Sequence, residues 1–544
     1  MTTPSHSEPH SRYWFGVFAI MAIVLVTLAS LSNSWMVSCI GDEWAIYQRA
    51  TSVALGPRNL AAEIIGPLSS GLWGVHMPFL TFLQGVVLYI GGINNFSWRM
   101  ASVLSFVLSI PPLFIVTRVI LSRRAALLAC AFMAFSYYLL AEALWGYGWT
   151  LLRLFSLWHA ALLALFLCKP TFLRALALGV SLTCCSLSGA LCTYITPLTF
   201  VVLIGCALFR LRPSAWKYTT VVALTYLLTH TLPIRLWSTT DDLKTTMQLT
   251  LSKTSLGPIL QRYFGEELFS RIEGQARTVP EVLELLGTRF VETLTAPVTM
   301  IGGSHYLFGT LIHPVVGGLA LVGFVLAIVW AFRSWAWRLV LLFYIPAVIL
   351  AGALSPYASP AITRVHFLVP FWALFAAAAI EYGTRRLPRA AFAIIGTGLV
   401  GTTMVWAYDR LFAELPHTPR FTAQAYAVQI MQAYPDRKIA FLYGNWHPLD
   451  FVLEPYGLKE RSVLCDQDNS DELLSQVAKD PSALVVLLPE SASNQETVRT
   501  GLCGQQQSST CSCKPCGGRG DRPMIVCGSF ECVIDSTTTL KQQD

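Results

Sequence analysis

Apolar residues run through this chain in long blocks separated by short polar gaps. Eleven blocks stand out, near 13–35, 98–120, 125–141, 146–167, 173–189, 191–209, 218–236, 312–332, 339–354, 363–380 and 390–408. Each approaches the roughly 20 residues that carry a helix across a bilayer, so the pattern predicts about 11 transmembrane helices. The gaps test this reading. Arg123 and Arg124, Lys169 and Arg174, Arg210, Arg212 and Lys217, Arg333 and Arg338, and Arg385, Arg386 and Arg389 fall in alternate gaps, opposed there only by Glu381. Basic residues accumulate on the cytoplasmic side, which places the N-terminus inside and the C-terminal tail outside. Trp98, Trp149, Trp216, Trp237, Trp330, Trp335 and Trp406 sit near block ends, where an aromatic belt belongs. The stretch 72–90 is also apolar but carries His76, Pro78 and Gln84. One more crossing there would move every later Arg cluster outside, so it is predicted to lie in the outer interface or to enter partway. The first block is too long for a signal-peptide core and reads as a retained anchor.

Two long outer segments follow from this topology, 36–97 and 237–311, and long segments with no low complexity tend to be functional. Within the second, residues 280–296 place Val282, Leu286, Phe290 and Leu294 at helical spacing, with Glu281, Glu284, Arg289 and Glu292 largely elsewhere. That pattern predicts an amphipathic surface helix. After Tyr408 the period changes. Strand-like runs at 438–443, 483–488 and 523–527 alternate with helical candidates such as 471–477, which predicts a small α/β domain. The fold class expected is therefore a mostly α polytopic membrane protein, with a membrane domain over 1–408 and an extracytoplasmic Cys-rich α/β domain over 409–544. No fixed-period repeat, Gly-rich phosphate loop or zincin motif occurs.

Composition agrees: hydrophobic residues make up 54% and charged residues only 13%, against roughly 25% charged in soluble domains. The net charge of +7 divides unevenly, with 12 Lys+Arg against 17 Asp+Glu in 409–544 and 26 against 14 before them. Because the basic residues sit in gaps between spans, topology explains them and nucleic acid is not expected as a partner. Seven of the 14 cysteines lie in the tail (Cys465, Cys503, Cys511, Cys513, Cys516, Cys527 and Cys532), and Cys39 shares their side. An oxidising outer compartment favours disulfides among them, with pairing open, over a metal site at Cys511, Cys513 and Cys516. The remaining cysteines are expected to be small hydrophobes inside spans.

Ionisable residues at a membrane edge are costly to desolvate and tend to be paired or used. Four features qualify: Asp42 and Glu43 after the first span; Glu142 in SYYLLAEALWGYGW, beside Tyr137 and Tyr138; His76 in GVHMPFL; and Arg364 with His366 at the outer start of the tenth span. An Arg at an outer end runs against the inside bias and calls for an anionic partner.

These features together resemble a known group. The acidic pair after a first span, the interfacial helix with His76 and Pro78, then FSWRMASVLSF, LSRRAALLA and SYYLLAEALW, resemble membrane glycosyltransferases of the GT-C fold. Within them the likeness is to the group related to protein O-mannosyltransferases and the aminoarabinose transferase of lipid A. Gly91, Arg99, Ser102, Arg123 to Ala126 and Glu142 occupy the group's motif positions, and Arg364, Leu368 and Pro370 match a later R-x-x-x-L-x-P. Met77 stands where the first Pro of the group's H-P-P would be, and Leu144 and Gly146 replace an Arg and a Tyr.

The resemblance implies transfer of a sugar from a polyprenyl-phosphate donor to a lipid, glycan or protein acceptor on the outer face, with membrane lipids as further partners. Asp42, then Glu43, would be the base; Arg364 and His366, with Lys253 and Arg262 in reserve, would hold the donor phosphate; His76 and Tyr138 would position substrate. Glu142 would orient the acceptor or ligate a divalent metal, although no metal-ligand set or cofactor motif is present. Attack opposite the leaving phosphate would invert the anomeric centre. The competing classes are a multi-span transporter and a lipid-linked glycan flippase or polymerase. Short hydrophilic ends favour a bacterial inner membrane.

Overall fold

The computed structural model describes residues 11–32, 50–51, 54, 78–145, 149–188, 194–210, 213–237, 279–299, 310–350 and 365–414. In the tail it describes 430–432, 434–436, 438–443, 453, 458–466, 484–487, 512–515 and 525–528. The described residues before the tail are mostly helical. The helices are α1 (Ser11–Ser32), α2 (Pro78–Gly91), α3 (Asn95–Val107), α4 (Ile110–Ile120), α5 (Arg123–Ala134), α6 (Tyr137–Leu144), α7 (Trp149–Cys168) and α8 (Phe172–Ser188). They continue with α9 (Ile195–Arg210), α10 (Pro213–Trp237), α11 (Val279–Thr295), α12 (Pro314–Ala331), α13 (Trp335–Val348), α14 (Val369–Thr384) and α15 (Arg389–Asp409).

All 11 apolar blocks contain helix. Among the described residues six helical stretches are long and apolar enough to cross a membrane, and the bent pair α5–α6 makes seven. The chain is an integral multi-pass membrane protein. Outward-facing apolar side chains such as Phe15, Val26, Leu173, Leu228, Ile394 and Val405 are exposed, as contact with lipid requires. Helix α2 has 14 residues, about 21 Å of helix, short of the roughly 30 Å hydrocarbon thickness. It turns into α3 through Gly92, whose φ of 81° suits glycine, and Asn94 then caps α3 by accepting from the Ser97 amide at 2.8 Å.

Packing follows residue size. Gly323 of α12 faces α14, whose middle is the run Ala376 to Ala379, while Gly317 packs on Pro297, and among the described residues α12 and α14 make the most extensive pair. Gly323 lies so close that a Cβ would stand 1.8 Å from the Phe375 carbonyl oxygen. At the end of α14, Glu381 accepts the Ser122 amide at 3.2 Å through both carboxylate oxygens, which caps α5 where Arg123 and Arg124 begin. That contact explains the one acid found among the basic gaps.

Helix α11 confirms the amphipathic element, with Phe290 and Leu294 packed on the core. Arg289 departs from the expected pattern: it is buried rather than on the polar face. Of the cysteines expected in spans, Cys130 and Cys185 are buried and Cys168 is exposed at the end of α7. In the tail, β1 (Ile439–Tyr443), β2 (Ser462–Asp466), β3 (Leu484–Leu487), β4 (Ser512–Pro515) and β5 (Ile525–Gly528) form one sheet in the order β2-β1-β3-β5-β4. Pairing is parallel for β1 with β2 and β3, and antiparallel for β5 with β3 and β4, with Cys513 opposite Cys527 in the register. The helical candidate at 471–477, and Cys39, Cys503, Cys511, Cys516 and Cys532, lie outside the described residues.

Candidate functional site

The site forms where a span breaks. Helices α5 and α6 meet at an angle of 54° across Phe135 and Ser136. A break of this kind frees backbone donors that the membrane cannot hydrate. The segment before α12 supplies the acceptor: Leu311 O receives the Ser136 hydroxyl at 3.3 Å and the Tyr138 amide at 3.4 Å. At the other end of α6, the buried Arg99 donates from Nη1 to the Leu144 carbonyl, satisfying a helix C-terminus with a cation.

Between these two anchors α6 holds Glu142, fully buried. Its Oε2 accepts from Nη1 of Arg153, one turn into α7 and also buried. Its Oε1 faces Nδ1 of His366 at 3.6 Å. His366 sits in the short turn Val365–Phe367 that opens α14, its ring stacked on Trp149 with centroids 5.7 Å apart. Tyr138 engages the His366 backbone through its hydroxyl, and the Phe106 ring lies 5.2 Å from the Arg153 guanidinium carbon. Two consecutive helices and a turn more than two hundred residues later thus converge on one carboxylate.

Two guanidinium atoms of Arg153, Nε and Nη2, are buried and have no hydrogen-bond partner among the described residues. Arg153 also lines an apolar groove between α4, α7, α13 and α14. Ile120, Leu163, Leu339, Phe343 and Phe371 form much of its wall.

Of the residues expected from sequence, the fold brings together Glu142, His366 and Tyr138. Asp42, Glu43, His76, Lys253, Arg262 and Arg364 lie outside the described residues. Arg153 was not anticipated. Its signal was available: a lone Arg inside the apolar block 146–167, one span after an acid, at an energetic cost that intramembrane charges incur only with a partner. Among the described residues no group of three or more His, Cys, Asp or Glu side chains gathers as metal ligands, and Glu142 is held by a guanidinium. The described residues therefore do not fit a divalent metal.

A second polar group lies deeper, about 15 Å along α7 from Trp149. His159 meets Ser181 at 2.9 Å through Nδ1 and Thr199 at 2.8 Å through Nε2. Ser181 spends its hydroxyl proton on Leu178 O at 2.8 Å, so Nδ1 donates and Nε2 accepts from Thr199. A neutral ring satisfies every partner and ties α7, α8 and α9. Replacing His159 with Leu is expected to cost roughly 1–2 kcal/mol, since interhelical hydrogen bonds in membranes contribute about 0.6 kcal/mol each and two hydroxyls lose a partner. The midpoint of unfolding by dodecyl sulfate in mixed micelles measures it, and an unchanged midpoint would remove the tie.

No protein-family model matches the sequence, and no curated protein matches it. Solved structures do. The oligosaccharyltransferase of Archaeoglobus fulgidus, crystallised tethered to an acceptor peptide containing the NVT sequon, aligns with a TM-score of 0.50 at 12% identity, over 96% of this chain and 75% of its own. ArnT from Cupriavidus metallidurans, bound to undecaprenyl phosphate, aligns with a TM-score of 0.50 at 14% identity, over 94% of this chain and 97% of its own. At such identities the likeness is one of fold: the chain has the polytopic GT-C architecture expected from its sequence.

Proposed function

We propose that this protein is a membrane glycosyltransferase that moves a sugar from a polyprenyl-phosphate-linked donor to a hydroxyl of a lipid, glycan or protein acceptor on the outer face, with inversion. The observation that carries this reading is the buried Glu142–Arg153–His366 cluster beside a long apolar groove, within a GT-C fold. The groove suits a hydrocarbon carrier, and the Arg153 guanidinium in its wall suits a phosphate. The solved relatives were captured with an acceptor peptide in one case and a polyprenyl phosphate in the other, which supports the same pairing of ligands.

In the reaction, the acceptor oxygen bonds to the anomeric carbon as the bond from that carbon to the phosphate oxygen breaks. The phosphate leaves with the bonding pair, and the acceptor proton passes to a carboxylate, assigned to Asp42 with Glu43 beside it. The leaving group already carries charge, so it needs cations and hydrogen bonds rather than a strong acid. We assign this role to His366, next to Phe367 in the groove wall, with Arg364, Lys253 and Arg262 from the outer segments, and we assign His76 and Tyr138 to positioning the substrate. Residues 1–408 would form the catalytic membrane domain and 409–544 an extracytoplasmic domain, in a bacterial inner membrane with the N-terminus inside. A transporter would call for a titrating relay near mid-span, whereas both nitrogens of His159 are taken up in holding helices together.

The test is transfer of labelled sugar from polyprenyl-phosphate donors in membranes containing wild type, Asp42→Asn or Arg364→Ala at matched expression. Wild type should transfer, and Asp42→Asn should lose about 10²–10⁴-fold, the range set by removing a general base. Full activity in Asp42→Asn would sink the assignment of the base. No transfer by wild type across a panel of donors would sink the enzyme reading.

A further inference from the structure

A guanidinium offers two kinds of face. Nη1 stands at one end, while Nε and Nη2 share an edge whose parallel N–H bonds match two oxygens of a phosphate or carboxylate. In this structure Glu142 takes Nη1 of Arg153 and leaves the paired edge buried and, among the described residues, without a hydrogen-bond partner. Buried donors of this kind are costly, so their persistence beside a groove points to a ligand that completes them.

The groove has the shape for such a ligand. Along α7 its wall runs from Arg153 to Leu167, about 21 Å of helix, and among the described residues Arg153 is the one Arg, Lys, Asp or Glu that lines it, beside the hydrogen-bonded His159. The wall therefore follows the direction of the lipid tails over much of the hydrocarbon thickness, with its cation near the outer end of α7. One occupant satisfies both features: a single-tailed amphiphile with a phosphate head.

We infer that the Nε–Nη2 edge of Arg153 is the seat of the carrier phosphate, and that Arg153 couples occupancy of this seat to the hold on Glu142. The inference rests on the glycosyltransferase reading and adds to it a residue within a span and an order of events. Without donor, Arg153 is neutralised by Glu142 alone. When the phosphate arrives, its charge competes for the same guanidinium, and the hold on Glu142 slackens toward His366, 3.6 Å away. Arg153 is then a binding residue for the phosphate and a positioning residue for Glu142.

The experiment measures stabilisation of purified full-length protein in detergent by a polyprenyl monophosphate, by the polyprenol of the same length, and by inorganic phosphate. Wild type should gain thermal stability with the monophosphate and far less with the other two, because the seat needs head and tail together. Glu142→Gln removes the competing carboxylate and leaves Arg153 a charge without a partner, so the monophosphate should shift it by more than wild type. Arg153→Gln should lose the shift, and Arg153→Lys, which keeps the charge but not the paired edge, should lose most of it. Tryptophan fluorescence of Trp149, stacked on His366, gives a second readout in variants of low stability. A wild-type shift in Arg153→Gln, or a shift in Glu142→Gln no larger than wild type, overturns the assignment of Arg153 and leaves the lipid-phosphate reading standing. An equal shift with inorganic phosphate alone overturns the tail groove. Absence of any wild-type response to the monophosphate overturns this inference and the glycosyltransferase reading together.

Discussion

Arg153→Leu is expected to lose about 3–5 kcal/mol of stability, because it leaves the Glu142 carboxylate buried without its cation. Glu142→Leu should lose a comparable amount for the mirror reason. The instructive variant is the double replacement by Leu at both positions. A buried ion pair recovers little more than its own desolvation, so removing both charges together should restore most of the stability while leaving sugar transfer absent. Unfolding by dodecyl sulfate in mixed micelles gives the three stabilities, and the double-mutant cycle gives the coupling. A double variant as unstable as either single one would mean that the pair is a net structural support. A near-additive cycle with small single effects would mean that the two side chains do not depend on each other at all.

Gly323→Leu is expected to be the most damaging change far from the site. A Cβ there would stand 1.8 Å from the Phe375 carbonyl oxygen, and neither backbone can yield as a flexible side chain would. Helices α12 and α14 must separate, at a cost of roughly 1–3 kcal/mol from overpacking even before the rest of the Leu side chain is placed. Gly318 provides the control, since a Cβ there meets nothing within 4 Å, and Gly318→Ala should be neutral or slightly stabilising. The consequence reaches function through α14. His366 lies in the turn that opens this helix, so a displaced α14 moves the imidazole away from Glu142. Transfer activity should therefore fall in Gly323→Leu and not in Gly318→Ala. Equal stability of the two variants would show that the close packing of α12 on α14 is absent in the membrane.

Much of the architecture was legible because the bilayer leaves few options. A backbone in hydrocarbon must satisfy its own hydrogen bonds, so each apolar block had to contain helix, and it does. The strand positions in the tail were legible for a similar reason, since β1, β3 and β5 are short apolar runs between polar stretches. Two further strands, β2 and β4, were missed. Their sequences, SVLCD and SCKP, carry little apolar signal and are held by neighbours in the sheet. Arg289 was misjudged because helical spacing describes one face of a helix and not what packs across the other.

The site divides along the same line. Sequence alone marked Glu142 and His366 as costly residues near an outer edge, and the alternation of basic gaps put both on one side of the membrane. Their meeting was decided by tertiary structure: the break at Phe135 and Ser136 swings Glu142 inward, and the turn before α14 carries His366 to it across more than two hundred residues. The lone Arg153 is visible in the sequence, but its role belongs to that second category. Periodicity and composition record how apolar a segment is, and a single Arg barely alters either one. What it does depends on which carboxylate stands opposite, which edge of the guanidinium remains open and what groove that edge adjoins, and those are relations between helices that no stretch of the chain contains by itself.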